Sequence, residues 1–591
     1  MLPGARGRQG PCARGEAPSL QCGANAGQIR ICPLLALLVL AGCQDDLHGQ
    51  RDVDRRALAA ELTREAEEVS ERMEGLELLR RLLSWQAMTG AEGSRMQALL
   101  PGMMAPISFK QLFHLRRLEN SPKLEDMERR RLRHLRCHLT RLLLQRQAAR
   151  EIDRQIDTLS DATVRLPGGK HPVRFSDLPS LIAGTSDRSR RAELESRRVP
   201  TLRQLERLVL RAQRQMGEAA RNLGLNPFDV DEECAERDTR TTLAGVFAAN
   251  KGSHDLFRHV WSSSFESETV RVADLRWLRE GGAHQSSLEE AKALPALRHL
   301  LSGLGLELSN VEGDPIRVSD EGLFTMAVAV SPPVDVRLVC RRESGLWGHI
   351  KLFEAAGEAV CQANVQRLGW ELRSLGPQVG ARTMGYLLGL VWLEPGWWAR
   401  YRQVVPGREA GRARGANLNR AGPAEAQVHD LLRTTVLVAA VRLRLQGVVM
   451  PIIRAVLEGA PSRTYEGVFQ PSGSAPTALF AQLMHSQLGL KLDRDQSLTY
   501  LDELLPPGRP AFDPRAYALA HQLLELLRRE EGGDWFNRPG VGGRLISALC
   551  HGGSAVTASQ IARKLELGKG PDLEAPWRTL RQTWEGLHVA R

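Results

Sequence analysis

The sequence predicts a mainly α-helical protein with a small β-sheet. Residues 53–160 are almost all compatible with helix, and their apolar residues recur at three- and four-residue spacings. Strand-like alternation is confined to two short regions, 163–175 and 316–340. Helical spacing returns over most of residues 426–591. With 42% hydrophobic residues, the 591-residue chain can bury a substantial core.

Shifts in composition divide the chain into six segments. They are a signal peptide at 1–42, an N-terminal helical region at 43–160, a helical region with a β-hairpin at 161–330, a strand with helices at 331–405, an exposed Gly- and Arg-rich loop at 406–425, and a C-terminal helical region at 426–591. The hairpin is predicted because two short β-like runs flank Pro167-Gly168-Gly169-Lys170, which is a typical turn sequence.

The N-terminus has the pattern of a bacterial lipoprotein signal. Four arginines and one acidic residue precede an uncharged apolar run of twelve residues at 31–42. That length suits the hydrophobic part of a signal peptide and is too short to span a bilayer. The run ends in Leu40-Ala41-Gly42-Cys43, which resembles the lipobox of bacterial lipoproteins. We therefore expect Cys43 to be lipidated as the first mature residue; the alternative is a short buried core helix.

The predicted location is the bacterial cell envelope, with the lipid on Cys43 as the contact with the membrane. Gln44 follows the cysteine, which favours the outer over the inner membrane. No later segment approaches eighteen uncharged apolar residues, so we expect no transmembrane helix. The mature chain keeps 76 basic and 68 acidic residues, a modest net charge of +8.

Nine cysteines are present, of which three leave with the signal peptide and one is lipidated. The remaining five show no CxxC spacing, and an odd number cannot pair completely within one chain. An oxidising compartment permits disulfides, but the sequence alone identifies none. The five are Cys137, Cys234, Cys340, Cys361 and Cys550.

A strongly basic helix is predicted at Glu128–Arg150. Such a run can bind the phosphates of lipid or nucleic acid, but no stacking aromatic residues accompany it, and a solvated face is the preferred interpretation. We expect no nucleic-acid partner. Within this helix His134 and His138 share one face, with Cys137 beside them. The neighbouring arginines would repel a metal cation, so a surface helix is favoured over a metal site.

The most informative segment runs from Pro332 to Val360 and reads PPVDVRLV, then LFEAAGEAV within a helix predicted over 350–372. It resembles the active-site strand and helix of bacterial zinc metallopeptidases related to the thimet-oligopeptidase family, an M3-like gluzincin family, where the strand reads like PPxDVRLV and the helix LxHEAGHAL. The resemblance implies a zincin-like helical peptidase body with a small β-sheet at the cleft. GxSxG, Walker A, GxGxxG after a strand and HExxH are all absent.

Aligning Ala356-Gly357 with the AG of the family motif sets the correspondence of the site residues. Glu354 falls on the first zinc histidine, Ala355 on the catalytic glutamate and Glu358 on the second histidine. Downstream, RTMGYLLG and EPGWW resemble ESFAFLFE and DPAWL, which places Arg382 on the third ligand, a glutamate. The family also uses tyrosines on a late helix to polarise the substrate carbonyl. Tyr517 resembles the first of these, and His521 stands where the second is expected.

All three ligand positions and the general base are therefore replaced, which argues against peptide hydrolysis by the zinc mechanism. We expect a lipid-anchored pseudopeptidase with no metal and no cofactor, which binds peptides or acts as a scaffold for an envelope protein. Peptide binding is expected along Val334–Cys340, interpreted as an edge strand. We also expect Arg382 to bridge Glu354 and Glu358 in place of the metal.

Two alternatives remain open. One is an active metallopeptidase or other metal-dependent hydrolase with non-standard ligands, in which Glu354 and Glu358 offer two carboxylates to Ca²⁺ or Mg²⁺. The other is a helical lipoprotein whose likeness to the peptidases is accidental.

Overall fold

The computed structural model describes residues 48–88, 109–122, 124–148, 159, 162–166, 171–222, 225, 239–263, 270–279, 288–308, 315–319, 325–341, 344–366, 368–404, 425–458, 476–504 and 512–589. The chain divides into residues 1–59 and a body of residues 60–591, and the body contains the sheet and the main core. The predicted signal peptide, Cys43 and residues 406–424 of the predicted loop lie outside the described residues.

Helices form most of the body. Up to the sheet they are α1 (His48–Met88), α2 (Phe109–Glu119), α3 (Asp126–Ala148), α4 (Leu178–Gly184), α5 (Arg188–Asn222), α6 (Thr239–Gly252), α7 (His254–Ser262), α8 (Val272–Arg279) and α9 (Glu290–Gly303). After the sheet they are α10 (Leu346–Ala363), α11 (Trp370–Ser374), α12 (Val379–Leu390), α13 (Pro395–Val404), α14 (Glu425–Glu458), α15 (Pro476–Leu488), α16 (Arg494–Ser497), α17 (Leu501–Leu504), α18 (Pro514–Glu531), α19 (Pro539–Leu545), α20 (Ala558–Lys564) and α21 (Ala575–Val589).

Within the residues that the structure describes, the β-structure consists of two small elements. Strands β1 (Thr163–Val164) and β2 (Val173–Arg174) form an antiparallel pair. Strands β3 (Ile316–Ser319), β4 (Met326–Ser331) and β5 (Asp335–Val339) form a sheet in the order β3-β5-β4.

Strand β5 is the central strand of this sheet. It pairs in parallel with β3 and antiparallel with β4, so both of its sides are hydrogen-bonded. The interpretation of Val334–Cys340 as an edge strand is therefore wrong. The alternation of side chains along a strand reports which face is buried, but it does not report how many neighbours the strand has.

The helix predicted over 350–372 is two helices. Helix α10 begins earlier, at Leu346, and ends at Ala363, and the short α11 follows from Trp370. Between them the Asn364 side chain donates to the Val360 carbonyl, and the Gln366 amide donates to the His551 carbonyl. These bonds replace the helical ladder, which is why the helix stops.

Helices α10 and α12 cross at a pair of glycines. A Cβ added at Gly357 would lie 2.7 Å from the Cα of Gly385, so only glycine permits this approach of the two backbones. Both helices contribute mostly buried residues to the main core, together with β5, α14 and α18. The crossing fixes the positions of the residues on α10 and α12 that the sequence assigned to the site.

Helix α14 contains a segment, Val428–Ile453, that is long and apolar enough to cross a membrane. The sequence predicted no transmembrane helix, because no later segment approaches eighteen uncharged apolar residues. In the structure 72% of its most apolar window is buried inside the body. These properties are those of a core helix of a globular protein.

The basic helix α3 has an exposed and a buried face. His134 is 1% and Cys137 3% exposed, so the expectation that this His-Cys cluster lies on the surface is wrong. The arginines of α3 reach acidic partners on other elements, in the pairs Arg131–Glu371, Arg133–Glu119 and Arg136–Glu119. Long side chains that find carboxylates can line a buried face, which the count of charges along the sequence did not reveal.

A disulfide joins Cys361, near the end of α10, to Cys550 in the π-helix Ile546–Cys550. The two residues are 189 positions apart in the chain. The bond therefore ties the helix that carries Glu354 and Glu358 to the C-terminal part of the body.

Candidate functional site

Four helices bring the predicted site residues together. Glu354 and Glu358 lie one turn apart on α10, and the glycine crossing turns them toward α12. Arg382 lies in the first turns of α12, and Tyr517 lies near the start of α18. No sequence pattern connected the fourth helix, α14, with the site. This helix carries the main positive charge of the site.

That charge is Arg442. Its Nη1 donates to Glu354 Oε1, and its Nη2 donates to Glu354 Oε2 at 3.1 Å, so the pair is bidentate. The two side chains are only 17% and 15% exposed. Burial lowers the pKa of Arg442, but the Glu354 carboxylate more than offsets this effect and leaves the pKa above its usual range. The pair is a charge-assisted contact in a largely dry setting.

Four aromatic rings surround the same guanidinium; we call Trp347, Tyr386, Phe512 and Tyr517 the Arg442 cage. The distances from Arg442 Cζ to the ring centroids are 5.0, 5.1, 4.9 and 5.2 Å, in that order. A cation this close to ring faces is attracted by their quadrupoles. Arg442 is therefore held both by a carboxylate and by aromatic faces.

Two glycines of α12 make room for the glutamates. A Cβ at Gly389 would lie 2.8 Å from Glu354 Cγ and 3.1 Å from its Oε1. A Cβ at Gly385 would lie 2.6 Å from the Glu354 carbonyl oxygen and 3.0 Å from Glu358 Cγ. Both acidic side chains can therefore pack against α12 only because these two positions are glycine.

Glu358 has a different environment from Glu354. Burial raises its pKa to about 7, while the charges of Arg382 and Arg442 act in the opposite direction and that of Glu354 adds to the rise. Near neutral pH this carboxyl is therefore partly protonated. Arg382 thus acts electrostatically on Glu358, but the ion pair with Glu354 is made by Arg442. Of the two glutamates that Arg382 was predicted to bridge, Glu354 is held by Arg442.

The remaining predicted positions are buried and apolar in character. Ala355 is 6% exposed and presents only a methyl group. Tyr517 is 2% exposed, and burial raises its pKa. The ring of His521 lies 4.6 Å from that of Tyr517, and burial lowers the pKa of this imidazole. Tyr517 thus contributes to the Arg442 cage and meets the His521 ring edge to face.

Among the described residues, no three or more His, Cys, Asp or Glu side chains come together in a group suited to a metal ion. Sequence reasoning missed Arg442, Trp347 and Phe512. Arg442 lies 88 positions beyond Glu354, so no spacing rule connects them. The signal that could have found it is the presence of two arginines inside the otherwise apolar stretch of α14.

No family model matches the chain, and no curated protein matches its sequence. Its fold is similar to those of solved peptidase structures over most of its length. A putative oligoendopeptidase F has a TM-score of 0.61 at 12% identity, covering 90% of this chain and 96% of that one. The M32 carboxypeptidase of Deinococcus radiodurans R1 gives 0.54 at 15% identity, and metallocarboxypeptidase 1 of Trypanosoma cruzi gives 0.52 at 15%; each match covers 88% of this chain and 99% of the other.

At these identities the likeness shows the fold alone. The chain has the mainly helical fold, with a small sheet, that these peptidases share. The fold class predicted from the sequence is confirmed.

Proposed function

We propose that this protein is a lipid-anchored pseudopeptidase of the bacterial envelope, which keeps a peptidase fold without a working zinc site and serves as a scaffold for a protein partner. One observation carries the proposal. The carboxylate at the position of the first zinc ligand, Glu354, is engaged on both oxygens by Arg442.

The residues at the four positions do not fit zinc. Catalytic zinc needs three protein ligands, usually nitrogen or carboxylate, and a water that a base deprotonates. Here both oxygens of Glu354 accept from a guanidinium, and Glu358 is partly protonated near neutral pH. The charges of Arg442 and Arg382 would repel a divalent cation, and Ala355 has no basic atom. We therefore derive no hydrolytic step for this site.

The scaffold role is favoured over capture of an extended peptide at β5 or at the β4 edge of the sheet. Strand β5 has no free side, because β3 and β4 pair with it. Strand β4 lies at an edge of the sheet, but its Ala329 carbonyl accepts a hydrogen bond from Arg81 of α1. The side chain of Leu82, next to Arg81, packs with the apolar residues of β4. A peptide that adds to this strand would have to compete with α1.

Export to the envelope has support from two independent features. The lipobox-like sequence at Leu40–Cys43 predicts lipidation, and Gln44 favours the outer membrane. The Cys361–Cys550 disulfide is of the kind that persists in oxidising compartments such as the bacterial periplasm. The second candidate function, a hydrolase with Glu354 and Glu358 as ligands of a hard cation, would require Arg442 to leave its cage.

The test is to purify the exported protein, measure its bound metals by inductively coupled plasma mass spectrometry, and screen a peptide library for cleavage. We expect no stoichiometric zinc and no cleavage above background. Chelator-sensitive cleavage that disappears in Glu354→Ala would overturn the proposal. The matched control is Glu530→Ala, which removes an exposed carboxylate elsewhere in the body.

A further inference from the structure

Arg444 lies in α14, two positions after Arg442, and points away from the Arg442 cage. Residues two apart on a helix are about 200° apart around its axis. Arg444 is 2% exposed, and its Cζ lies 4.8 Å from the ring centroid of Phe257 in α7 and 5.3 Å from that of Trp577 in α21. It is thus a second buried guanidinium against aromatic rings, on the opposite side of the helix.

Unlike Arg442, Arg444 has no carboxylate partner among the residues that the structure describes. Its buried Nε and Nη2 have no hydrogen-bond acceptor in that same part of the chain. Burial alone lowers the pKa of Arg444 to about 10, with no compensating negative charge. Buried charges in proteins are almost always paired, and an unsatisfied buried donor calls for a bound ion or water.

The unpartnered atoms are the two that form one edge of the guanidinium. Elsewhere in this chain the same Nε and Nη2 edge binds the two oxygens of one carboxylate, with distances of 2.7–3.2 Å. These pairs are Arg131–Glu371, Arg337–Asp335, Arg400–Asp534 and Arg515–Asp513. Arg444 offers the same fork, whose two parallel N–H bonds match a carboxylate.

The surroundings of this fork are fixed by hydrogen bonds. Trp577 Nε1 donates to Asn250 Oδ1 at 3.2 Å, and Asn250 Nδ2 donates to Gln487 Oε1 at 2.9 Å. This chain of bonds holds the Trp577 ring in place beside Arg444. The Trp577 indole N–H and the Asn250 side chain are thereby engaged with other partners, whereas the Arg444 fork is not.

We propose that Arg444 is the recognition group of a buried binding site for a small free carboxylate. The single charge of a carboxylate neutralises the single charge of Arg444, whereas a doubly charged phosphate would leave an excess charge among apolar rings. Because Arg444 is almost fully buried, the ligand is of the size of acetate rather than the end of a peptide. The site is separate from the Glu354 region and does not depend on the scaffold proposal.

The experiment adds ¹³C-acetate to the purified full chain and detects binding by saturation-transfer NMR. The melting temperature is measured in parallel, with acetate replacing chloride so that pH and ionic strength stay constant. We expect transfer to acetate and a rise in melting temperature of about 1–2 °C at saturation. Both effects should be lost in Arg444→Met and kept in Arg433→Met, which removes a partly exposed arginine of the same helix. Arg444→Lys keeps the charge without the fork and should bind acetate at least about tenfold more weakly.

Three results would overturn the proposal. The first is an absence of acetate transfer in the wild type, which would mean that water alone solvates the fork. The second is acetate binding in Arg444→Lys equal to that of the wild type, a comparison that remains informative if Arg444→Met does not fold. The third is equal or tighter binding of phosphate or of N-acetyl-glycylglycine, which would assign the site to another anion or to a peptide C-terminus.

Discussion

Removing the guanidinium of Arg442 should destabilise the body strongly. In Arg442→Met the Glu354 carboxylate, 15% exposed, keeps its charge but loses both of its donors and faces the rings of the Arg442 cage. Breaking a buried pair on one side costs about 3–5 kcal/mol, and partial exposure places this pair at the lower end. Loss of the cation–π contacts adds about 1 kcal/mol. The free energy of unfolding should therefore fall by about 4 kcal/mol.

The assay is urea unfolding followed by tryptophan fluorescence and circular dichroism. The double variant Arg442→Met with Glu354→Leu removes the stranded charge and should recover at least half of the loss, because an apolar replacement of a buried pair is often neutral. Arg433→Met, on the same helix, controls for the loss of a partly exposed arginine. An Arg442→Met protein within about 1 kcal/mol of the wild type would refute the assignment of Arg442 as the cation that holds the site together.

Three further predictions concern other parts of the chain. Because the folded-state pKa of Glu358 is raised to about 7, its ionisation costs stability as pH rises from about 4.5 to 7. Glu358→Gln should therefore match the wild type at about pH 4.5 and be about 3 kcal/mol more stable than it at about pH 8 in urea unfolding; equal stabilisation at both values would contradict this. Cys361→Ser, compared with Cys340→Ser, should lose about 3–5 kcal/mol under non-reducing conditions and nothing extra under reducing ones. Cys43→Ala should abolish labelling by a palmitate analogue and release the protein from the membrane fraction; unchanged membrane association would refute the lipobox.

The sequence was sufficient to predict the helical fold class and the strand-helix segment around Asp335 and Glu354. These features could be predicted because helical periodicity and a short motif both depend on residues that are close together in the sequence. The status of β5 as a central strand could not be predicted, since its second partner, β3, is separated from it by a segment of the chain rather than by a turn. The position of β5 depends on a pairing that no local pattern encodes.

The site shows the same division between local and distant information. The resemblance predicted the replacement of the zinc ligands at Glu354, Glu358 and Arg382, and it indicated that a cation within the chain should compensate the two glutamates. The choice of Arg442 depended on how α14 packs against α10, which is a tertiary fact. The charge requirement could be read from the sequence, whereas the residue that meets it could not.

On our proposal, the Arg442 guanidinium takes the place of a metal cation at Glu354. Isothermal titration of zinc into the purified wild-type protein, at about pH 7.5 after removal of all metals, tests this most directly, because a guanidinium bound to Glu354 repels the cation. We expect no binding at micromolar zinc, in the wild type and in Glu354→Ala alike. Binding of one zinc per chain that is lost in Glu354→Ala would contradict the interpretation.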